Sequence, residues 1–455
     1  MEGACEMNVL DWINRINGWV WGFEMMLVFL AVGLYLSFRT GFIQFTRFGV
    51  ILRETLGAIR ERTLGSGGEI SPFQATMIAL GATLGSGNIV GVTSAILIGG
   101  PGAIFWMWVA ALVGMATKFA EATLAVHYRQ QFADGSVSGG PMYYIARGLG
   151  LSWLGALFAI FAAIAAFGIG NVVQVSALSG ALSNNLGVPP AWTGLFAALV
   201  VAFVLAGGVR RIARFAQALV PLMIALYLLV ATAALVVNAQ NLGAAFLSIF
   251  QSAFNLQAGF GGAVGVAMIE MIRAGVGRGI FSNEAGLGSA AIAHAQAQVD
   301  HPVRQGFWGV VEVFLDTIVI NTFTALVVLS AGSWMTGGLA FDVLMGSFGT
   351  LGAAKALMPI VLSLFVFTTL ISWAFYGEES AVFLFGEGIR WPYRLAFAVL
   401  AFVGGLGSFG ALVKVSDTMN GLMAVPNLIA LVLLAGVVAK LTRGFFSGEP
   451  WTPPK

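Results

Sequence analysis

Two short stretches of this chain carry groups that a plain hydrophobic helix does not need. Residues 81–88 read Gly81-Ala82-Thr83-Leu84-Gly85-Ser86-Gly87-Asn88. Residues 275–286 run from Gly275 through Gly277, Arg278, Gly279, Ile280, Phe281, Ser282, Asn283 and Glu284 to Gly286. Glycine lets a helix unwind, and small residues also let helices pack closely. Packing alone does not explain Thr83, Ser86 and Asn88 within the same two turns. Free carbonyls, hydroxyls and an amide together replace a cation's water shell. Free N–H groups near Gly87 and Asn88, at the start of a second half-helix, suit a carboxylate. In the second stretch Ser282 and Asn283 are the contact candidates. Arg273 and Arg278 suit gating or pairing, since Glu270 stands at i,i+3 from Arg273.

Other polar groups sit deep in apolar sequence. Asn171 and Gln174 lie at i,i+3 amid alanine and glycine, and two amides facing lipid are costly. They either bond a neighbouring helix or line a cavity, and the cavity is the expectation taken. Adjacent Thr368 and Thr369 either bond their own helix carbonyls or offer hard oxygen ligands to a small cation. Trp373 either caps a small pocket or stands as lipid-facing bulk, and Glu378 and Glu379 reach solvent at the cytoplasmic end. Lys118 and Glu121, at i,i+3, read as an internal ion pair. Glu312 and Asp316, at i,i+4, repel unless protonated or paired elsewhere.

The elements that hold these residues follow from composition. The 455 residues are 58% hydrophobic and 9% charged, far below the roughly 25% charged of soluble domains. Apolar runs repeatedly reach the roughly 20 residues that cross a bilayer as helix, and they do not alternate as barrel strands do. The fold class is an all-α polytopic membrane protein. About eleven spans are expected, near 18–38, 72–99, 102–128, 152–184, 189–206, 212–237, 260–297, 305–331, 355–387, 392–412 and 418–440. The first 17 residues lack the basic start of a signal peptide. Cys5 is the single cysteine and the three histidines lack metal spacing, so no cofactor is expected. The net charge of +2 is too small to suggest nucleic acid.

Lys and Arg set the orientation, because cytoplasmic loops carry their excess. One set of alternate loops holds sixteen of them, from Arg39 and Arg47 to Arg443 and Lys455; the other holds only Arg15, Lys355 and Lys414. This places the N-terminus outside and the C-terminus in the cytoplasm. The second and seventh spans then run in opposite directions, each opening a five-helix block with an interrupted helix. That is the sign of an inverted-repeat secondary transporter. The expected divisions are 1–71 (an extra N-terminal helix and a cytoplasmic amphipathic segment at 42–62), 72–240 (first repeat), 241–259 (an outer re-entrant or interfacial helix), 260–440 (second repeat) and 441–455 (a cytoplasmic tail).

Several motifs resemble the alanine/glycine:cation symporter family. They are GATLGSGNIVGVTSAILIGGPGAIFWMWVAALVGMATKFAEATLAVHYR (81–129), GGPMYYI (139–145), GRGIFSNEAGLGSAAIAHA (277–295), HPVRQGFWGVVEVFLDT (301–317) and SWAFYGE (372–378). The resemblance covers about residues 15 to 440. It implies a leucine-transporter-like fold, a 5+5 inverted repeat preceded by one extra helix, in the cell inner membrane. It implies uptake of alanine or glycine with Na⁺, sometimes H⁺; members differ, and some take a larger amino acid such as glutamine. By matching motif, the amino-acid site involves Thr83, Gly87, Asn88, Gln174, Ile280, Phe281 and Trp373. A Na⁺ site joins backbone carbonyls near Ala82 and Gly85 to Thr368 and Thr369. A passive channel needs a continuous polar lining, whereas the polar residues here cluster at the breaks. No nucleophile with a base, and no metal cluster, argues for an enzyme.

Overall fold

The computed structural model describes residues 9–59, 67–132, 135–254, 262–407 and 409–454. The bundle helices are α1 (Val9–Val20), α2 (Phe23–Arg39), α3 (Pro72–Thr83), α4 (Val92–Gly99), α5 (Gly102–His127), α6 (Ser152–Phe167), α7 (Val173–Leu186), α8 (Pro190–Leu205), α9 (Gly208–Val237), α10 (Ala239–Phe254), α11 (Gly262–Asn283), α12 (Ser289–His294), α13 (Pro302–Val313), α14 (Thr322–Ala331), α15 (Leu357–Phe385), α16 (Arg390–Leu406), α17 (Gly410–Leu422) and α18 (Ala424–Ser447). Among the described residues, eight helical runs are long and apolar enough to cross a bilayer, nine with the bent pair α3 and α4. The eleven expected spans thus include two that fall short of that measure. α8 has only 16 residues, and α11 carries Glu270, Arg273 and Arg278.

Burial separates the central helices from the lipid-facing ones. In α15 the apolar window is 72% buried, against 33% in α9 and 28% in the run ending at Leu406. α15 packs on α3, α6 and α9, while α5 packs on α11 and α13. Phe203, Leu229 and Leu395 stay exposed, as an apolar solvent permits.

Both interrupted helices are visible, each with a local cause. α3 starts with a capping box at Ser71 and Gln74 and Pro72 in its first turn, a combination that satisfies the free N–H groups. It stops at Leu84, whose ψ of 89° leaves the helix. A π-turn over Gly87–Gly91 follows, and α4 departs at 52°. The second break lies at 284–288, at the far end of the expected 275–286 stretch. Gly275, Gly277 and Gly279 remain helical because they serve packing: a Cβ at Gly275 would stand 2.1 Å from the Ala103 carbonyl oxygen on α5. The chain turns instead where Glu284, Gly286 and Gly288 adopt φ of 56°, 95° and 85°.

Two side-chain expectations are revised. Lys118 pairs with Glu312 on α13 at 3.3 Å rather than with Glu121. Glu378 and Glu379 are buried rather than solvated; Arg390 Nη1 lies 2.8 and 2.6 Å from them, and Arg394 Nε 2.6 Å from Glu378. The 241–258 segment forms α10, packed on α5 and α14, with its last residues outside the described ones. The 42–62 segment forms short helices at Ile43–Thr46 and Phe48–Leu56, and Glu54 pairs with Arg304; Arg60 and Arg62 lie outside the described residues.

Candidate functional site

The first break and its neighbours enclose a small cavity of about 20 Å³, room for little more than a water centre by that measure. Ala82, Thr83, Gly85 and Gly87 supply one wall, Phe281, Ser282 and Glu284 a second. Ile169 and Gln174, Thr369 and Trp373, and Asn420 close it. Five helical runs therefore converge on it. π-turns flank two of them, at Gly87–Gly91 and Gly168–Val172, and such turns often mark functional sites.

Gln174 is the most telling side chain. Its Nε2 donates to the Ile169 carbonyl at 3.1 Å, fixing the amide. Its Oε1 is buried without a hydrogen-bond partner, a costly condition that a bound donor relieves. Asn420 Oδ1 is likewise buried and unpartnered. Two amide oxygens are thus available to an ammonium group. Beside Gln174, Thr369 Oγ1 donates to the Leu84 carbonyl at 3.2 Å, bringing hydroxyl and carbonyl oxygens together at the unwound segment. Gly85 makes this approach possible, since a Cβ there would lie 2.8 Å from Thr369 Oγ1. Trp373 packs over Gly170, where a Cβ would meet its own Cβ at 2.2 Å, and forms the opposite wall.

Other expected contacts fall outside the lining. Asn88 is buried in a network instead: its Nδ2 reaches Asp316 Oδ1 at 2.5 Å, Ser282 Oγ at 2.8 Å and Asn321 Oδ1 at 3.0 Å. Ser282 Oγ donates to Asp316 at 2.9 Å. Asp316 therefore ties the segment after the first break to the residue before the second. Asn171 Nδ2 donates to the Phe397 carbonyl at 2.7 Å, towards α16. Asn283 Nδ2 donates to Thr317 Oγ1 at 3.1 Å, and its Oδ1 accepts from Ala285 N at 3.0 Å. Ile280 is buried behind the lining. Thr368 Oγ1 donates to the Leu364 and Phe365 carbonyls of its own helix. Ile169, Glu284 and Asn420 were not singled out as contacts. Glu284, an ionisable group in the interrupted stretch, and Asn420, beside Asp417 and Thr418 in an otherwise apolar span, carried the readable signals.

A second buried network braces the other break. Glu121 Oε1 accepts from Gly286 N at 2.9 Å and from Asn427 Nδ2 at 2.7 Å, and Asn427 also donates to the Gly286 carbonyl. His294 links Glu312 to Gln305 at 2.8 and 2.7 Å. Among the described residues no group of His, Cys, Asp and Glu is arranged to hold a metal ion.

Residues 6–450 match the profile of the sodium:alanine symporter family. The chain belongs to that family. Its relatives include the sodium/alanine symporter AgcS of Methanococcus maripaludis, 45% identical, with 96% of this chain and 98% of that one covered. The probable sodium/glutamine symporter GlnT of Bacillus subtilis is 37% identical over 94% of this chain and 88% of its own length. In fold, the symporter resembles MhsT solved with L-phenylalanine, at a TM-score of 0.54 and 15% identity over 84% of this chain and 100% of that one. This is the leucine-transporter-like architecture. The symporter is a Na⁺-coupled amino-acid transporter of a multi-span membrane family, and not an enzyme.

Proposed function

We propose that the symporter drives uptake of a small neutral amino acid, alanine or glycine, with an inward Na⁺ gradient. The observation that carries this reading is the unpartnered Gln174 Oε1 beside the Gly85 break. A zwitterion needs both ends matched. Gln174 and Asn420 oxygens receive the ammonium group, and the N–H groups at Gly87 receive the carboxylate. Trp373, Phe281 and Ile169 crowd the small cavity, which suits a small side chain. Na⁺ takes oxygens around Ala82, Gly85 and Thr369, with Thr368 joining once its hydroxyl leaves its own helix. The ion holds the unwound segment in the shape that binds substrate, so each ligand raises the other's affinity. The two blocks, 72–240 and 260–440, rock to expose the site to either face in turn, with the N-terminus outside the inner membrane.

The test is labelled alanine uptake into proteoliposomes. Accumulation above equilibrium is expected only with an inward Na⁺ gradient, with unlabelled glycine competing. Equal accumulation without Na⁺ removes the reading. H⁺ coupling is the second reading, favoured by four buried carboxylates, Glu121, Glu284, Glu312 and Asp316, of which Glu312 pairs with Lys118. It predicts accumulation under a pH gradient alone.

A further inference from the structure

We infer that the N-terminal helix supplies the outer lid of the site, with Trp21 seated on Phe281 and Asn17 latched to α17. The inference rests on the reading above only for what lies beneath the lid. A vestibule of about 400 Å³ opens at this end of the bundle, lined among others by Asn17, Trp21, Arg278, Phe281 and Asp417. Phe281 also lines the small inner cavity. One aromatic ring therefore belongs to both spaces and forms the partition between them.

α1 ends directly on that partition. The chain leaves helix at Trp21 and Gly22 before α2 begins. The Trp21 ring meets the Phe281 ring at 5.9 Å and 62°, an edge-to-face contact. Trp21 Nε1 donates to the Asp417 carbonyl at 3.3 Å. Asn17 Nδ2 donates to Asp417 Oδ2 at 2.8 Å and lies 3.2 Å from Thr418 Oγ1. Gly421 allows the seating, because a Cβ there would stand 2.1 Å from Val20 Cγ1. α17 in turn carries Asn420 into the inner cavity. The lid is thus joined to both the partition and the far wall by a few polar bonds and one ring contact. Trp21 packs on the edge of the apolar core and stays only half-buried, so it is suited to lift.

The test uses reactivity of a buried thiol and needs neither alanine nor Na⁺. In a Cys5→Ser background, Thr83→Cys places a thiol in the inner cavity, and a hydrophilic maleimide reports its access in detergent. Trp21→Ala is expected to speed modification by about tenfold, with Trp21→Phe restoring the slow rate. Asn17→Ala is expected to speed it by a smaller factor. A Thr123→Cys protein, with its thiol in the core of α5, controls for loosening. An unchanged rate at Thr83→Cys in both Trp21→Ala and Asn17→Ala overturns the lid. So does an equal acceleration at Thr123→Cys, which makes Trp21 a prop of the fold. A thiol that opens as expected in a protein that accumulates no amino acid leaves the lid standing and removes the proposed substrate instead.

Discussion

The two helix breaks have opposite characters. At the first, the chain turns through three residues beside an uncommitted oxygen, Gln174 Oε1, while Thr369 Oγ1 donates to the Leu84 carbonyl. At the second, positive φ angles bend the chain, and buried groups clamp it on both sides of Gly286. On the proposed reading, one break receives ligands. The other is built to stay bent. Position in the chain made them look equivalent; their hydrogen-bond partners show a division of labour between binding and bracing.

That contrast breaks most visibly at the brace. Glu312→Ala leaves Lys118 charged and buried without its partner. A loss of about 3–5 kcal/mol is expected, read as a lowered thermal midpoint in detergent, with Lys118→Met in the same chain recovering most of it. Gln174→Ala probes the other side. Losing a hydrogen bond to a charged group should weaken alanine binding by about 10- to 150-fold, with the thermal midpoint of the ligand-free protein little changed. Alanine affinity equal to that of the unaltered protein would erase the distinction. Gly85→Ala pushes a methyl towards Thr369 Oγ1 and should weaken Na⁺-dependent binding by about tenfold. The smallest contrast lies between neighbours. Thr369→Val should weaken Na⁺ dependence by about fivefold, and Thr368→Val by less, since its hydroxyl is satisfied within its helix. A reversed order would move the ion towards Thr368 and α9.

How much of this was readable varies by residue, for physical reasons. The membrane class followed from 9% charge in 455 residues, and the first break from glycines mixed with hydroxyls. Asn171 and Gln174 were read as sharing a face at i,i+3. The π-turn over Gly168–Val172 shifts the helix phase between them, sending Asn171 to α16 and Gln174 to the cavity. The same effect separates Glu312, bound to Lys118, from Asp316, bound to Asn88, since a π-segment over Phe314–Asn321 begins between them. A uniform 3.6-residue period cannot show such shifts. Lys118 had a plausible partner three residues away and took a better one 194 positions on. Gly275, Gly277 and Gly279 looked like a break because glycine frees a backbone and admits a close neighbour alike.

One small contact has a mechanical meaning. Ile70 and Ala297 pair as a parallel β-bridge, with Gln298 N donating to the Ile70 carbonyl at 2.8 Å and Glu69 N to the Gln296 carbonyl at 2.9 Å. Arg129 spans the same strand, donating to the Ala295 and Ala297 carbonyls, and burial lowers its pKa to about 10, still charged at neutral pH. Ile70 is two residues ahead of α3, and Ala297 three residues beyond α12. The two interrupted helices therefore share a handle at this end, while their other halves, α4 and α11, are free of it. A displacement that keeps the bridge swings α3 and α12 as one lever; a displacement that separates them first has to unzip main-chain bonds.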